Sequence, residues 1–140
     1  MTSSTMERVE TSTAFIELLN PHLVITRYKP AAHVTAEAVR ENLEVRMAMP
    51  GPLAKAVIAI FPEDMDFDMS LLDRDHYMEQ RYTESTLAMA VVSSGVLHQP
   101  LANLYIAYHP TSFKYRVFSD EREAIAWANE EVKLRLGLEN

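Results

Sequence analysis

Cysteine is absent from the 140-residue chain. That excludes disulfide staples, thiolate nucleophiles, Fe–S clusters and Cys-based zinc sites. It also argues against a small secreted scaffold, which depends on such staples. Glycine is nearly as scarce, with three residues. There is no Gly-rich loop to cradle a phosphate and no Gly-x-Ser-x-Gly elbow to expose a serine. Positive charge is also short: 13 Lys+Arg against 20 Asp+Glu leave a formal net charge of −7. The cations are scattered along the chain, as at Arg27 and Lys29, Arg40 and Arg46, and Lys133 and Arg135. Nucleic acid and anionic membrane surfaces both select for a basic face, so neither is an expected partner. The longest apolar run, Ala56 to Phe61, falls far below the ~20 residues that span a bilayer. The polar stretch Met1 to Glu10 has no apolar signal-peptide core. No integral membrane segment is expected, and a cytoplasmic location follows by elimination.

What is present suits one globular domain. Hydrophobic residues make up 48% of the chain, enough to fill one core, and domains cluster near ~100–150 residues. Residues 1–13, rich in Ser, Thr and Glu, read as a flexible terminus, and residues 14–140 as a single domain. Ala14 to Leu19 is expected to be a short edge strand, and HLVITRY, His22 to Tyr28, a strand with Leu23, Ile25 and Arg27 on one side. Thr35 caps a predicted helix whose apolar stripe is Ala36, Val39, Leu43 and Met47, stopped by Pro50-Gly51-Pro52. The apolar runs Ala54 to Phe61 and Leu87 to Val92 read as strands covered on both faces, adjacent and parallel, with a helix from Leu71 to about Gln80 between them. A third helix is expected over Val96 to Tyr108, then a short strand at Tyr115 to Phe118. The last helix has Asp120 and Glu123 as a capping pair and a stripe of Ile125, Ala128, Val132 and Leu136. Gly137 is its stop. The order β-β-α-β-α-β-α-β-α implies a helix-covered sheet with a parallel part.

Asn103, Phe118, Asp120, Ala124 and Trp127 fall in the segments AMAVVSSGVLHQPLANLYIAYHP and YRVFSDEREAIAW. Their pattern is a buried strand, a helix carrying an Asn, a strand ending in Phe, then an acidic cap, an Ala and a Trp. It resembles the bacterial SpoIIAA-like group, which belongs with the STAS and SEC14-like domains. The resemblance implies an α/β fold with a mixed four- to five-stranded sheet and helices packed mainly on one face. Members of that group include phospho-regulated antagonists of anti-sigma factors and many proteins of unknown role. In the antagonists an Asp-Ser-Ser-Gly motif carries the phosphorylated serine. Here the matching stretch is Asp68-Met69-Ser70-Leu71, with Met at the acceptor position and no Gly, which makes Ser70 a helix cap first and a weak phosphoacceptor candidate second.

The remaining constellations point away from an enzyme. Asp64, Asp66 and Asp68 alternate as in a calcium loop, but Met69 and Asp75 stand where that loop needs Gly and Glu, so no metal is expected. The five histidines, His22, His33, His76, His98 and His109, form no zinc-type pair. Ser93 or Ser94 with His98 is a poor hydrolase constellation. No catalytic residue and no cofactor is expected. The segment Leu97 to Tyr115 holds three of the six tyrosines, one Lys, and no Asp, Glu or Arg. Charge depletion with Tyr enrichment marks an interface core. Leu97, Leu101, Leu104, Tyr105, Tyr108, Phe113 and Tyr115 are therefore the expected interface or ligand surface. The functional expectation is a non-enzymatic regulatory or protein-interaction module, homodimeric, with an unidentified protein partner. The alternative is a carrier of a small apolar ligand or lipid of SEC14-like type.

Overall fold

The computed structural model describes residues 7–67, 85–93 and 113–137, with position 100 in a helix. The strands are β1 (Glu7–Glu10), β2 (Ala14–Asn20), β3 (Leu23–Tyr28), β4 (His33–Val34), β5 (Lys55–Phe61), β6 (Asp66–Phe67), β7 (Thr86–Ser93) and β8 (Lys114–Phe118). Among the described residues, the helices whose bounds are defined are α1 (Ala36–Met47) and α2 (Glu121–Leu136). Six strands form one mixed sheet in the order β1-β2-β3-β5-β7-β8, and β4 and β6 make a separate two-stranded pair. β1–β2 and β2–β3 are antiparallel, while β3–β5, β5–β7 and β7–β8 are parallel. The expected parallel neighbours are thus found, with Ile58 beside Ala90 and Ile60 beside Val92. The helix expected between them, Leu71 to about Gln80, lies outside the described residues.

Two expectations need correction. Among the described residues the sheet has six strands, more than the four or five expected. The extra strand is β1, in the segment read as a flexible terminus, so Ala14–Asn20 is an inner strand and not an edge. A charged four-residue strand has no apolar alternation to announce it. A buried polar knot holds it in place. The Thr11 hydroxyl donates to Asn42 Oδ1 (2.7 Å), and Asn42 Nδ2 donates to the Thr13 hydroxyl (3.2 Å), tying the β1–β2 turn to α1.

Side chains alternate across the sheet, so each strand serves two cores. One face carries Leu23, Ile25, Ala56, Ile58, Ala90, Val92 and Phe118, and buries Ala124, Ala128 and Val132 of α2. The opposite face carries Ala14, Ile16, Leu18, Val24 and Val57, packed with Val45 of α1 and with Met49. The two described helices therefore sit on opposite faces. The other expected helices, which bear on whether one face is favoured, lie outside the described residues.

Both described helices are capped as their sequences require. Thr35 Oγ1 accepts the Ala38 N–H (3.2 Å), and an Asp120 carboxylate oxygen accepts the Arg122 N–H (3.3 Å). Gly137 ends α2 at φ 68°, a left-handed conformation that glycine adopts without a Cβ clash. The buried stripes differ from those expected. α1 buries Ala38, Asn42, Leu43 and Arg46, and α2 buries Ala124, Ala128, Glu131 and Val132 while Leu136 is exposed. Polar groups that find partners in the fold turned both stripes away from the purely apolar positions.

Candidate functional site

A parallel sheet offers ligands the carboxyl ends of its strands. Here that row runs Arg27, Ile60, Val92, Phe118, on the α2 face. Arg27 is the one charged member, and two carboxylates hold it. Glu121, in the first turn of α2, grips it bidentately, with Nη1 to Oε1 at 3.0 Å and Nη2 to Oε2 at 3.1 Å. Glu17 accepts from Arg27 Nε (3.2 Å) and from Arg8 Nε (3.3 Å). The Glu121 hydrogen bonds, and then Glu17, hold the Arg27 guanidinium further above its ordinary pKa. Arg27 is thus spent on internal pairing and is no anchor for an anionic ligand.

The line Glu121–Arg27–Glu17–Arg8 alternates in sign across β3, β2 and β1. The body of α2 packs chiefly on β7 and β5, and it reaches this end of the sheet through Glu121 on Arg27 and Asn129 on Asn20. The Arg8 guanidinium lies 4.1 Å above the Phe15 ring centroid, with the Lys29 ammonium 5.3 Å from it. Lys29 also pairs with Glu10 at 2.6 Å, and the Lys29 hydrogen bond and charge lower the Glu10 pKa. This antiparallel end of the sheet meets solvent with a zipper of charges, as antiparallel sheets can.

A second polar group lies at the amino ends of β5 and β7, on the α1 face. Lys55 is 1% exposed and donates to the Pro52 carbonyl; Arg46 is 4% exposed and donates to the Thr86 hydroxyl (3.2 Å). Burial pushes the Lys55 ammonium below the ordinary lysine value of 10.5, and the Arg46 guanidinium pushes the same way. A lysine with a depressed folded pKa binds fewer protons folded than unfolded in the window below 10.5, so its contribution to stability rises with pH there. We expect the wild type to gain stability relative to Lys55→Met as pH climbs through that window. Urea unfolding of both proteins from neutral pH to pH 10 checks this, and a pH-independent difference contradicts it.

The structure brings most of the resemblance-bearing residues together. Phe118 and Trp127 lie with ring centroids 5.7 Å apart, Ala124 is fully buried in the same cluster, and Asp120 caps the helix that carries them. They form a structural unit, and Asn103 lies outside the described residues. Of the expected surface, Leu97, Leu101, Leu104, Tyr105 and Tyr108 lie outside the described residues, as do Ser70, Asp68, Ser94 and His98. Phe113 is buried at 5% exposure. Tyr115 is half-buried on β8, on the face opposite α2. Ser93 is buried at the end of β7. Asp66 pairs with His33 Nδ1 at 3.1 Å, joining β6 to β4. Among the described residues no group of three or more His, Asp or Glu side chains is arranged to hold a metal, and no helix is long and apolar enough to cross a membrane.

Sequence reasoning missed the charge zipper and the buried basic pair. The signals were a Glu and an Arg inside apolar strands, at Glu17 and Arg27, and a Lys opening the run at Lys55. Each marks a buried charge only once its partner is known.

A family model described as "Domain of unknown function (DUF7793)" matches residues 18–131. No curated protein matches the chain. Among solved structures, the chain is similar to an uncharacterised protein of the DUF3478 family with a SpoIIAA-like fold from Shewanella loihica PV-4. That similarity has a TM-score of 0.51 at 13% identity, over 87% of this chain and 90% of that one. Identity this low speaks to fold alone, and the fold is the SpoIIAA-like one.

Proposed function

This chain belongs to the DUF7793 family, a domain of unknown function, and from that premise we propose that it is a non-enzymatic regulatory or protein-interaction module that works as a cytoplasmic homodimer. The observation that carries the reading is the sheet's two ends. Among the described residues, β1 and β8 each have a single strand neighbour. An edge strand presents unpaired N–H and C=O groups, the means by which one sheet recruits another strand. The tyrosine-rich, charge-poor stretch Leu97 to Tyr115, which runs into β8, adds a second adhesive surface for a protein partner.

Native mass spectrometry of protein purified from its own host tests the reading. The expected spectrum is a dimer carrying no added mass. A retained small apolar molecule would instead identify a carrier of the SEC14-like type, and a bare monomer at micromolar concentration would refute the homodimer.

A further inference from the structure

β1 reads Glu7-Arg8-Val9-Glu10, and its register on β2 sets where each group points. The Thr11 N–H donates to the Ala14 carbonyl at 2.8 Å. Hydrogen-bonded positions alternate along an antiparallel ladder, so Thr11, Val9 and Glu7 turn their main-chain groups toward β2. Arg8 and Glu10 therefore turn theirs outward, where the described residues place no further strand. The side chains follow the same alternation. Val9 packs on the core shared with α1, while Arg8 and Glu10 share the opposite face with Glu17 and Phe15.

We infer that β1 pairs antiparallel with β1 of a second copy about a two-fold axis through Val9. This rests on the homodimer of the preceding reading and gives it a surface. In that register Arg8 stands opposite Glu10 of the partner subunit, and Glu10 opposite the partner's Arg8. These are the very residues whose N–H and C=O groups face outward, so about four main-chain hydrogen bonds close the join. Val9 meets the partner's Val9 at the non-hydrogen-bonded site, where side chains come closest. The charge zipper then runs on without a break in alternation: Glu121, Arg27, Glu17, Arg8, the partner's Glu10, the partner's Lys29.

The alternatives are worse. Centring the axis on Arg8 or on Glu10 sets like charges face to face. A two-fold pairing of β8 sets Lys114 and Arg116, which share one face, against the same two cations. Joining β1 of one copy to β8 of another gives a head-to-tail contact, which builds larger rings or open filaments and not an isologous dimer. Edge charges ordinarily guard against pairing. Here they permit one partner in one register.

Charge exchange tests the inference on the full chain. Arg8→Glu and Glu10→Arg each place like charges at both contacts. Sedimentation equilibrium should show each variant, folded by circular dichroism, with a dimer dissociation constant raised roughly tenfold to a hundredfold. An equimolar mixture of the two variants restores both opposite-charge contacts and should recover a heterodimer. Amide hydrogen exchange reads the wild type directly, since the Arg8 and Glu10 amides should gain protection as concentration rises. A homodimer that survives both substitutions overturns the edge inference and leaves the homodimer reading standing on another surface, Leu97 to Tyr115 included. A wild type that stays monomeric overturns both. A mixture of folded variants that fails to associate, or amides whose exchange ignores concentration, also overturns the inference.

Discussion

Ile58→Ala is expected to destabilise the protein by about 2–5 kcal/mol. Ile58 sits at the middle of β5, fully buried, with Ile25 of β3 on one side and Ala90 of β7 on the other. Its side chain points to the α2 face, into the cluster that includes Ala124 and Ala128. Alanines line much of that contact because the helix lies close to the sheet, and alanines cannot swing inward to fill a hole. The strand on either side is held by a parallel ladder, so the backbone has little room to collapse. Both features favour a retained cavity and a cost toward the upper part of the range. Urea unfolding should show a lowered midpoint with an unchanged slope. Leu134→Ala is the control: Leu134 is 69% exposed on α2, and its removal should change stability by no more than about 0.5 kcal/mol. A cost below about 1 kcal/mol at Ile58 would place the core elsewhere.

Glu17→Ala is expected to cost about 2–3 kcal/mol. The Glu17 side chain is 9% exposed and takes hydrogen bonds from two arginines. Removing one member of a fully buried pair costs about 3–5 kcal/mol because the partner's charge is stranded. Here the arginines have recourse to water: the Arg27 side chain is 34% exposed and the Arg8 side chain 53%. Arg27 also keeps Glu121. That solvent access sets the expected cost below the fully buried figure. Glu17→Gln keeps an acceptor and loses the charge, so it should fall between wild type and Glu17→Ala. A double-mutant cycle of Glu17→Ala with Arg27→Ala should return a favourable coupling above about 0.5 kcal/mol, since the two residues share one network. Additive single effects would show that the pair is ornamental. The prediction also bears on assembly, because Glu17 fixes the Arg8 side chain that the β1 edge would offer to a second copy.

Much of this architecture was legible without coordinates, and for local reasons. Ala54 to Phe61 and Leu87 to Val92 announced the buried strands found at Lys55–Phe61 and Thr86–Ser93, because a nearly continuous apolar run is stable only where both faces of a sheet are covered. Thr35, Asp120 and Gly137 announced helix ends because the groups they satisfy lie within a turn of them. The resemblance carried by Phe118, Asp120, Ala124 and Trp127 held because those residues pack in one local unit, a strand and the helix that follows it. The absence of cysteine and the net charge of −7 narrowed the chemistry expected, for reasons of composition alone.

What only the tertiary structure decided are the long-range pairings of charge and edge. Arg46 and Asn42 belong to a polar surface by helical periodicity, yet both are buried, because Thr86 and the Thr11–Thr13 turn come to meet them from distant parts of the chain. Glu7–Glu10 has too little apolar content to be read as a strand, and becomes one only because β2 supplies a ladder and α1 ties down the turn. Glu121 and Arg27 stand 94 residues apart in the chain. A window of sequence records what each residue prefers, but whether a charge is buried depends on which partner the folded chain delivers to it, and that partner is chosen by the sheet order and not by the neighbours.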